Sequence, residues 1–177
     1  SLVRHGKDVC LLIGKWFKDA ESIFTYEIEP TSAGFRFNNL ASGKYEIFIT
    51  ARHWVKHGKK GSLPKNFKKF QVAVAADGVA GLVNIPASAT GNKTASLTLD
   101  LTGGKTDVQV SWMNGNKDVN IQVRKIQLKR VGDSERSAIT AFLMGFSRSN
   151  YVLIFGLLAL AIAGILAINL IRSRQTT

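Results

Sequence analysis

Apolar residues recur at two different spacings along this chain, and the change of spacing divides it. From about Ile23 to Val131 they alternate with polar ones. Phe35 and Phe37 flank Arg36, and the run from Tyr45 to Arg52 alternates more fully. An extended segment begins at Glu27–Glu29, and the series continues through residues 70–75, 97–101, 108–112 and 119–128. Turn signals separate these runs: Ser42-Gly43, Asp77-Gly78, Gly91-Asn92, Gly103-Gly104 and Asn114-Gly115-Asn116. Side chains two apart share one face of a strand, so short alternating runs between turns predict a mainly β domain, an antiparallel β-sandwich over 23–131. A faint echo runs through it. Residues 40–49 resemble residues 101–110, each with a glycine turn leading into an alternating strand, as two hairpin entries into one sandwich would look.

The pattern then becomes helical. In 132–150, Asp133 and Ser134 suit a helix start, and Ile139, Phe142, Leu143 and Phe146 recur at i, i+3, i+4 and i+7. That spacing predicts a short amphipathic helix, placed to lie on a membrane surface or a partner. Residues 151–171 then carry no charge in 21 positions. As a helix they would span roughly 32 Å, close to the ~30 Å hydrocarbon thickness of a bilayer. The expectation is one C-terminal transmembrane helix followed by a basic tail, 172–177. Gly156, Ala159, Ala163 and Ala167 form a small-residue face on which a second helix can pack. Arg172 and Arg174 favour a cytoplasmic C-terminus, which puts the sandwich on the extracytoplasmic, periplasmic side; with Arg148 on the other flank the charge count is nearly balanced, and the alternative is a tail-anchored protein with a cytoplasmic sandwich.

Residues 1–22 form an N-terminal arm. Val9 to Ile13 is too short to cross a bilayer and suits a buried strand added to the sandwich or to a partner's sheet, with Cys10 as a small core residue.

Composition narrows the chemistry. A hydrophobic fraction of 45% with 20% charge excludes wholesale disorder. One cysteine excludes an internal disulfide framework and a cysteine-rich zinc site. With 24 Lys+Arg against 12 Asp+Glu, the net charge of +12 invites an anionic partner. Much of the excess lies between Ile47 and Ala76, which holds no acid. Within it, Arg52, Trp54, Lys56, Lys59, Lys60, Lys65, Phe67, Lys68 and Lys69 form a basic, aromatic loop marked by Gly58, Gly61 and Pro64. Four readings compete for this loop: anionic lipid head groups with Trp54 and Phe67 as interface anchors, an acidic face of another subunit, a sugar stacked on Trp54, or a solvated lysine loop. No recognition motif accompanies the charge, so nucleic acid is not expected as a partner. His53 and His57 have no acid or cysteine beside them for a metal. Glu27 and Glu29 read as exposed strand charges. No nucleophile elbow, phosphate loop or carboxylate pair is present, so neither an enzyme nor a cofactor is expected.

Two stretches carry a resemblance. Residues 37–51, a turn, Gly43, Tyr45 and an alternating strand, are similar to jelly-roll carbohydrate-binding modules. Residues 108–128 resemble the last two strands of the calcium-dependent, xylan-binding kind: a strand, an Asn, a Gly-containing loop, Asp-x-Asn and a terminal strand. The resemblance implies a jelly-roll sandwich and, at Asn114, Asp118 and Asn120, the remnant of a calcium loop. Calcium takes six to eight oxygen ligands, whereas Asp118 is the only acid between Asp107 and Asp133 and Lys117 stands beside it.

Together these features describe a non-catalytic single-pass membrane protein. The reading placed first is an accessory subunit that docks on and stabilises a larger membrane complex, for example a photosynthetic or respiratory one, with other subunits and the lipid bilayer as partners. The alternative is a membrane-tethered module that recognises a cell-surface polysaccharide.

Overall fold

A computed structural model describes residues 1–54 and 62–134. The chain divides into two compact units, Ser1–Ser137 and Ala138–Thr177, and the described residues belong to the first. The amphipathic stripe Ile139, Phe142, Leu143 and Phe146, the apolar run 151–171 and its small face Gly156, Ala159, Ala163 and Ala167 lie outside the described residues, as do Lys56, Lys59 and Lys60. Among the described residues no helix is long and apolar enough to cross a membrane.

Among the described residues, eleven strands build two antiparallel sheets. They are β1 (Leu2–His5), β2 (Leu11–Ile13), β3 (Phe17–Lys18), β4 (Ile23–Thr25), β5 (Thr31–Leu40) and β6 (Gly43–Arg52). There follow β7 (Lys69–Ala76), β8 (Val79–Pro86), β9 (Lys93–Leu101), β10 (Gly104–Trp112) and β11 (Ile121–Gly132). One sheet runs β3-β4-β11-β6-β9, with β1 also pairing β11; the other runs β2-β5-β10-β7-β8. Successive strands stay in one sheet only at β3–β4 and β7–β8. The other connections cross between layers, as in a jelly roll. The expected sandwich is therefore the observed fold.

Alternation decides which residues fill the space between the layers. Phe35, Phe37, Ile47, Ile49, Phe70, Val72, Val74, Val108, Val110, Trp112, Ile126 and Leu128 are all buried. Each large apolar side chain so buried stabilises the fold by about 1.5–3 kcal/mol.

The echo between 40–49 and 101–110 has a different cause from the expected hairpins. β5 to β6 and β9 to β10 are corners that carry the chain from one sheet to the other. They lie side by side: Gly43 pairs with Leu101 in one sheet and Gly104 with Leu40 in the other. A Cβ at Gly103 would stand 2.7 Å from the Ser42 nitrogen, so the crossing admits only glycine there. The β7–β8 turn is a two-residue hairpin with Asp77 and Gly78 at φ 50 and 75, the left-handed pair that such a tight turn requires.

Three expectations are corrected. β2 is an edge strand with a neighbour on one side, so only Leu12 packs on the core, and Leu11 and Ile13 are about half exposed. Cys10 is exposed rather than a core residue; its thiol reaches the Gly34 carbonyl at 3.2 Å. Glu27 and Glu29 follow β4 in a connecting loop and lie on no strand.

Candidate ligand-binding pole

The site begins with the alternation in β4. Ile23 and Thr25 are buried, which turns Phe24 and then Tyr26 to the outer face. Strand pairing sets Phe17 of β3 opposite Phe24. Their rings stack at 5.4 Å and 20°. Trp54, two residues past the end of β6, stacks on Phe24 at 4.6 Å and 13°. Phe24 is therefore the middle ring of a three-ring column. Tyr26 stands edge-on to all three rings, at 5.9, 5.6 and 5.9 Å from Phe17, Phe24 and Trp54. Stacked and edge-to-face pairs of this kind add about 0.5–1.5 kcal/mol each beyond burial. Phe17 and Tyr26 nevertheless remain 45% exposed, as does much of neighbouring Ile28.

Trp54 is held by its backbone. Its N–H donates to Asn120 Oδ1 at 2.6 Å. The preceding His53 donates its own N–H to the Ser88 carbonyl at 2.7 Å and sets Nδ1 against the Asn120 N–H at 3.3 Å. This clasp ties the start of the basic loop to the start of β11. Burial pushes the His53 pKa below its usual 6.5, with the Asn120 backbone opposing in part. Nδ1 lies 3.2 Å from the Asn120 carbonyl and 3.3 Å from its N–H, donating to the one or accepting from the other according to the tautomer.

A pH dependence follows. A folded pKa below the unfolded value means that the unfolded chain binds more protons as the pH falls through the unfolded pKa. The stability from neutral His53 is full above that value and is lost progressively as the pH drops toward the folded one. Between about pH 7.5 and pH 5.5, the urea midpoint of the wild type should therefore fall more than that of His53→Gln. Equal falls would show that His53 titrates as in the unfolded chain.

Arg52 is turned to the same outer face as Phe24, with Gln122 of β11 between them in register. Its Nε donates to Gln122 Oε1 at 2.6 Å, and Gln122 Nε2 donates to Ser22 Oγ at 2.7 Å. Of the other expected docking residues, Lys65, Lys68 and Lys69 are exposed, while Phe67 packs on the core, edge-on to Phe70 at 5.3 Å. The two expected anchors thus part company, Trp54 in the outer column and Phe67 against Phe70.

The three residues of the calcium-loop remnant carry different structural duties. Asn114 Oδ1 accepts from the Gln71 N–H at 2.8 Å and from Trp112 Nε1 at 2.9 Å, while its Nδ2 donates to the Lys69 carbonyl. Asn120 Oδ1 holds Trp54. Asp118 is exposed. Both amide oxygens are therefore engaged by N–H donors. Among the described residues no three His, Cys, Asp or Glu side chains gather as a metal site. Gly115 lies so close to the backbone of Ile28 that a Cβ would overlap it, which locks this loop beside Tyr26.

The aromatic column, residues 113–120 and the start of β7 share one pole of the sandwich. The turns at 42–43, 77–78 and 103–104 occupy the other, where Gly132 pairs with Lys44. The twelve residues of β11 connect the two poles, a distance of about 36 Å at 3.3 Å per residue. Ser134, the last described residue, thus lies at the pole remote from Trp54.

Phe17, Phe24 and Tyr26 were not among the sequence candidates. Phe24 and Tyr26 carry a signal in Ile23-Phe-Thr-Tyr26, two aromatic residues two apart with a residue bound for the interior before each, whereas Phe17 joins them only through strand pairing.

No known protein family matches the sequence, and no curated protein matches it. Solved structures do match the fold. A family 35 carbohydrate-binding module, Xyl-CBM35, in complex with a glucuronic acid-containing disaccharide is similar at a TM-score of 0.54 and 16% identity, over 76% of this chain and 95% of that one. The family 35 module of Cellvibrio japonicus Abf62 matches at 0.54 and 16%, over 75% and 95%. A family 36 module in complex with calcium and xylotriose matches at 0.55 and 11%, over 73% and 100%. The likeness establishes the fold, a two-sheet β-sandwich of the carbohydrate-binding-module kind.

Proposed function

We propose that this chain is a non-catalytic binding module, tethered to a membrane by residues 151–171, that takes an acidic polysaccharide at the pole carrying Trp54. The observation that carries the reading is the outward aromatic column of Phe17, Phe24 and Trp54 with Tyr26 edge-on. An aromatic set that served only stability would be turned into the core, where Phe35, Phe37, Phe70 and Trp112 already lie. Phe24 covers one face of Trp54, and a pyranose ring would stack on the other. The cations of residues 52–69 supply the attraction for carboxylates. Structural neighbours in complex with a glucuronic acid-containing disaccharide and with calcium and xylotriose support a sugar as the ligand class.

Calorimetric titration of the detergent-solubilised chain with polygalacturonic acid tests the reading. Binding is expected, weakening as salt rises, with little heat from the carboxyl-reduced polymer. Absence of binding to either polymer would remove it.

One observation favours the accessory-subunit reading: the uncharged stretch 151–171 carries a small-residue face suited to a neighbouring helix. That reading keeps the sandwich periplasmic and the C-terminus cytoplasmic. It expects other subunits to co-purify after mild detergent extraction and to be lost on replacing Ala159 and Ala163 with Leu.

A further inference from the structure

The outer face of the five-stranded sheet differs from the rest of this basic chain. Its aromatic residues, Phe35, Phe37, Phe70 and Trp112, all point into the core. What faces out is small and neutral. Strand register sets Leu11, Gly34, Gln109, Ala75 and Ala80 in one row across the sheet. A second row runs Ile13, Ser32, Ser111, Ala73 and Leu82. Ser32 and Ser111 satisfy each other at 2.6 Å. Arg36 and Asp107 neutralise each other through a paired contact at 2.7 and 2.8 Å, the carboxylate held below its usual pKa by the guanidinium. Lys69 and Lys105 stand at strand ends.

The rows are highest at their edges. Leu11, Ile13 and Leu82 are each about half exposed, and small residues form the floor between them. At one end the floor deepens into a cavity of about 390 Å³ beside Cys10, Gly34, Ala75 and Val79.

We infer that this face docks a second copy of the chain. Charge selects the occupant: two chains of net charge +12 repel over most of their surfaces, and least where these neutral faces meet. A two-fold axis in the contact plane through the floor sets the edge ridge of one copy against an edge ridge of the other. Size agrees too. Five strands at ~4.8 Å spacing and about eight residues of length give roughly 600 Å² per copy, or about 1,200 Å² in total, at the lower end of specific interfaces. A sugar is a poorer occupant, since no ring stands outward on this sheet among the described residues. The inference uses no part of the aromatic pole, and its failure would leave the polysaccharide reading standing.

Cys10 is the only cysteine of the chain and lines the cavity, so it reports the contact directly. The detergent-solubilised full chain is treated with a flexible bismaleimide. A cross-linked dimer is expected, and its yield should fall at least tenfold in Ala75→Lys and in Leu82→Ser, with melting temperatures near wild type. Both side chains face outward, and two separate variants guard against a folding defect in either. A chain that stays monomeric by native mass spectrometry and does not cross-link overturns the inference. So does a dimer whose cross-linking survives both substitutions, since that dimer would be held by another surface.

Discussion

Asn114→Ala is expected to lower the unfolding free energy by about 3 kcal/mol, by the same amount in calcium and in chelator. The side chain accepts from the Gln71 N–H and the Trp112 indole and donates to the Lys69 carbonyl. Alanine leaves all three groups without that partner. A polar group left unmatched away from water costs about 1–3 kcal/mol, and the Lys69 contact is exposed, so water recovers part of the loss. Trp112 is 2% exposed and lies edge-on to Phe70, so its freed indole N–H sits at the core margin. Urea unfolding measures the effect. If this residue instead acted as a cation ligand, the loss would shrink once calcium was removed.

The second large effect falls on binding. Trp54→Ala should weaken polysaccharide affinity at least thirtyfold, about 2 kcal/mol, the scale of an aromatic hot spot. Stability should fall by no more than a similar amount, with the fold intact. The indole lies outside the core, and its removal forfeits mainly the contacts with Phe24 and Tyr26, roughly 1 kcal/mol apiece. The backbone N–H of residue 54 still reaches Asn120, so the clasp persists. Titration calorimetry and a thermal melt of the same preparation separate the two outcomes. Unchanged affinity would place the sugar elsewhere; a collapsed melt would make Trp54 a structural residue.

The sandwich was legible in the sequence because alternation is a local signal that tertiary packing reinforces. Tyr45 to Arg52 and Val108 to Trp112 show it without interruption, and both are strands facing the core. β8 was missed because Ala80, Gly81 and Pro86 dilute its pattern. Gly81 is small for a packing reason that composition hides: a Cβ there would stand 2.6 Å from Leu97 of the opposite sheet. The arm misled in the other direction. Val9 to Ile13 looks like interior, yet at a sheet edge only alternate residues find a partner layer, and Leu11, Ile13 and Cys10 remain outside.

The site was less legible than the fold. Trp54 stood out through its basic neighbours, but its partners come from β3 and β4, between 28 and 37 positions earlier, and only strand pairing brings Phe17 to Phe24. Asn114 and Asn120 were singled out for their oxygens. Those oxygens face N–H donors, since an amide that closes a loop and an amide that ligates a cation look alike in one dimension. Phe67 sits among lysines in the chain and against Phe70 in space, because the start of β7 draws its side chain onto the core.

Where the ligand lies on the surface is the point on which the rest turns. Hydroxyl-radical footprinting of the full chain, with and without polygalacturonic acid, reads it directly. Protection is predicted at Phe17, Tyr26 and Trp54, with Leu11 and Leu82 unchanged. Protection confined to the five-stranded face, or none at the aromatic column under saturating polymer, would contradict the assignment.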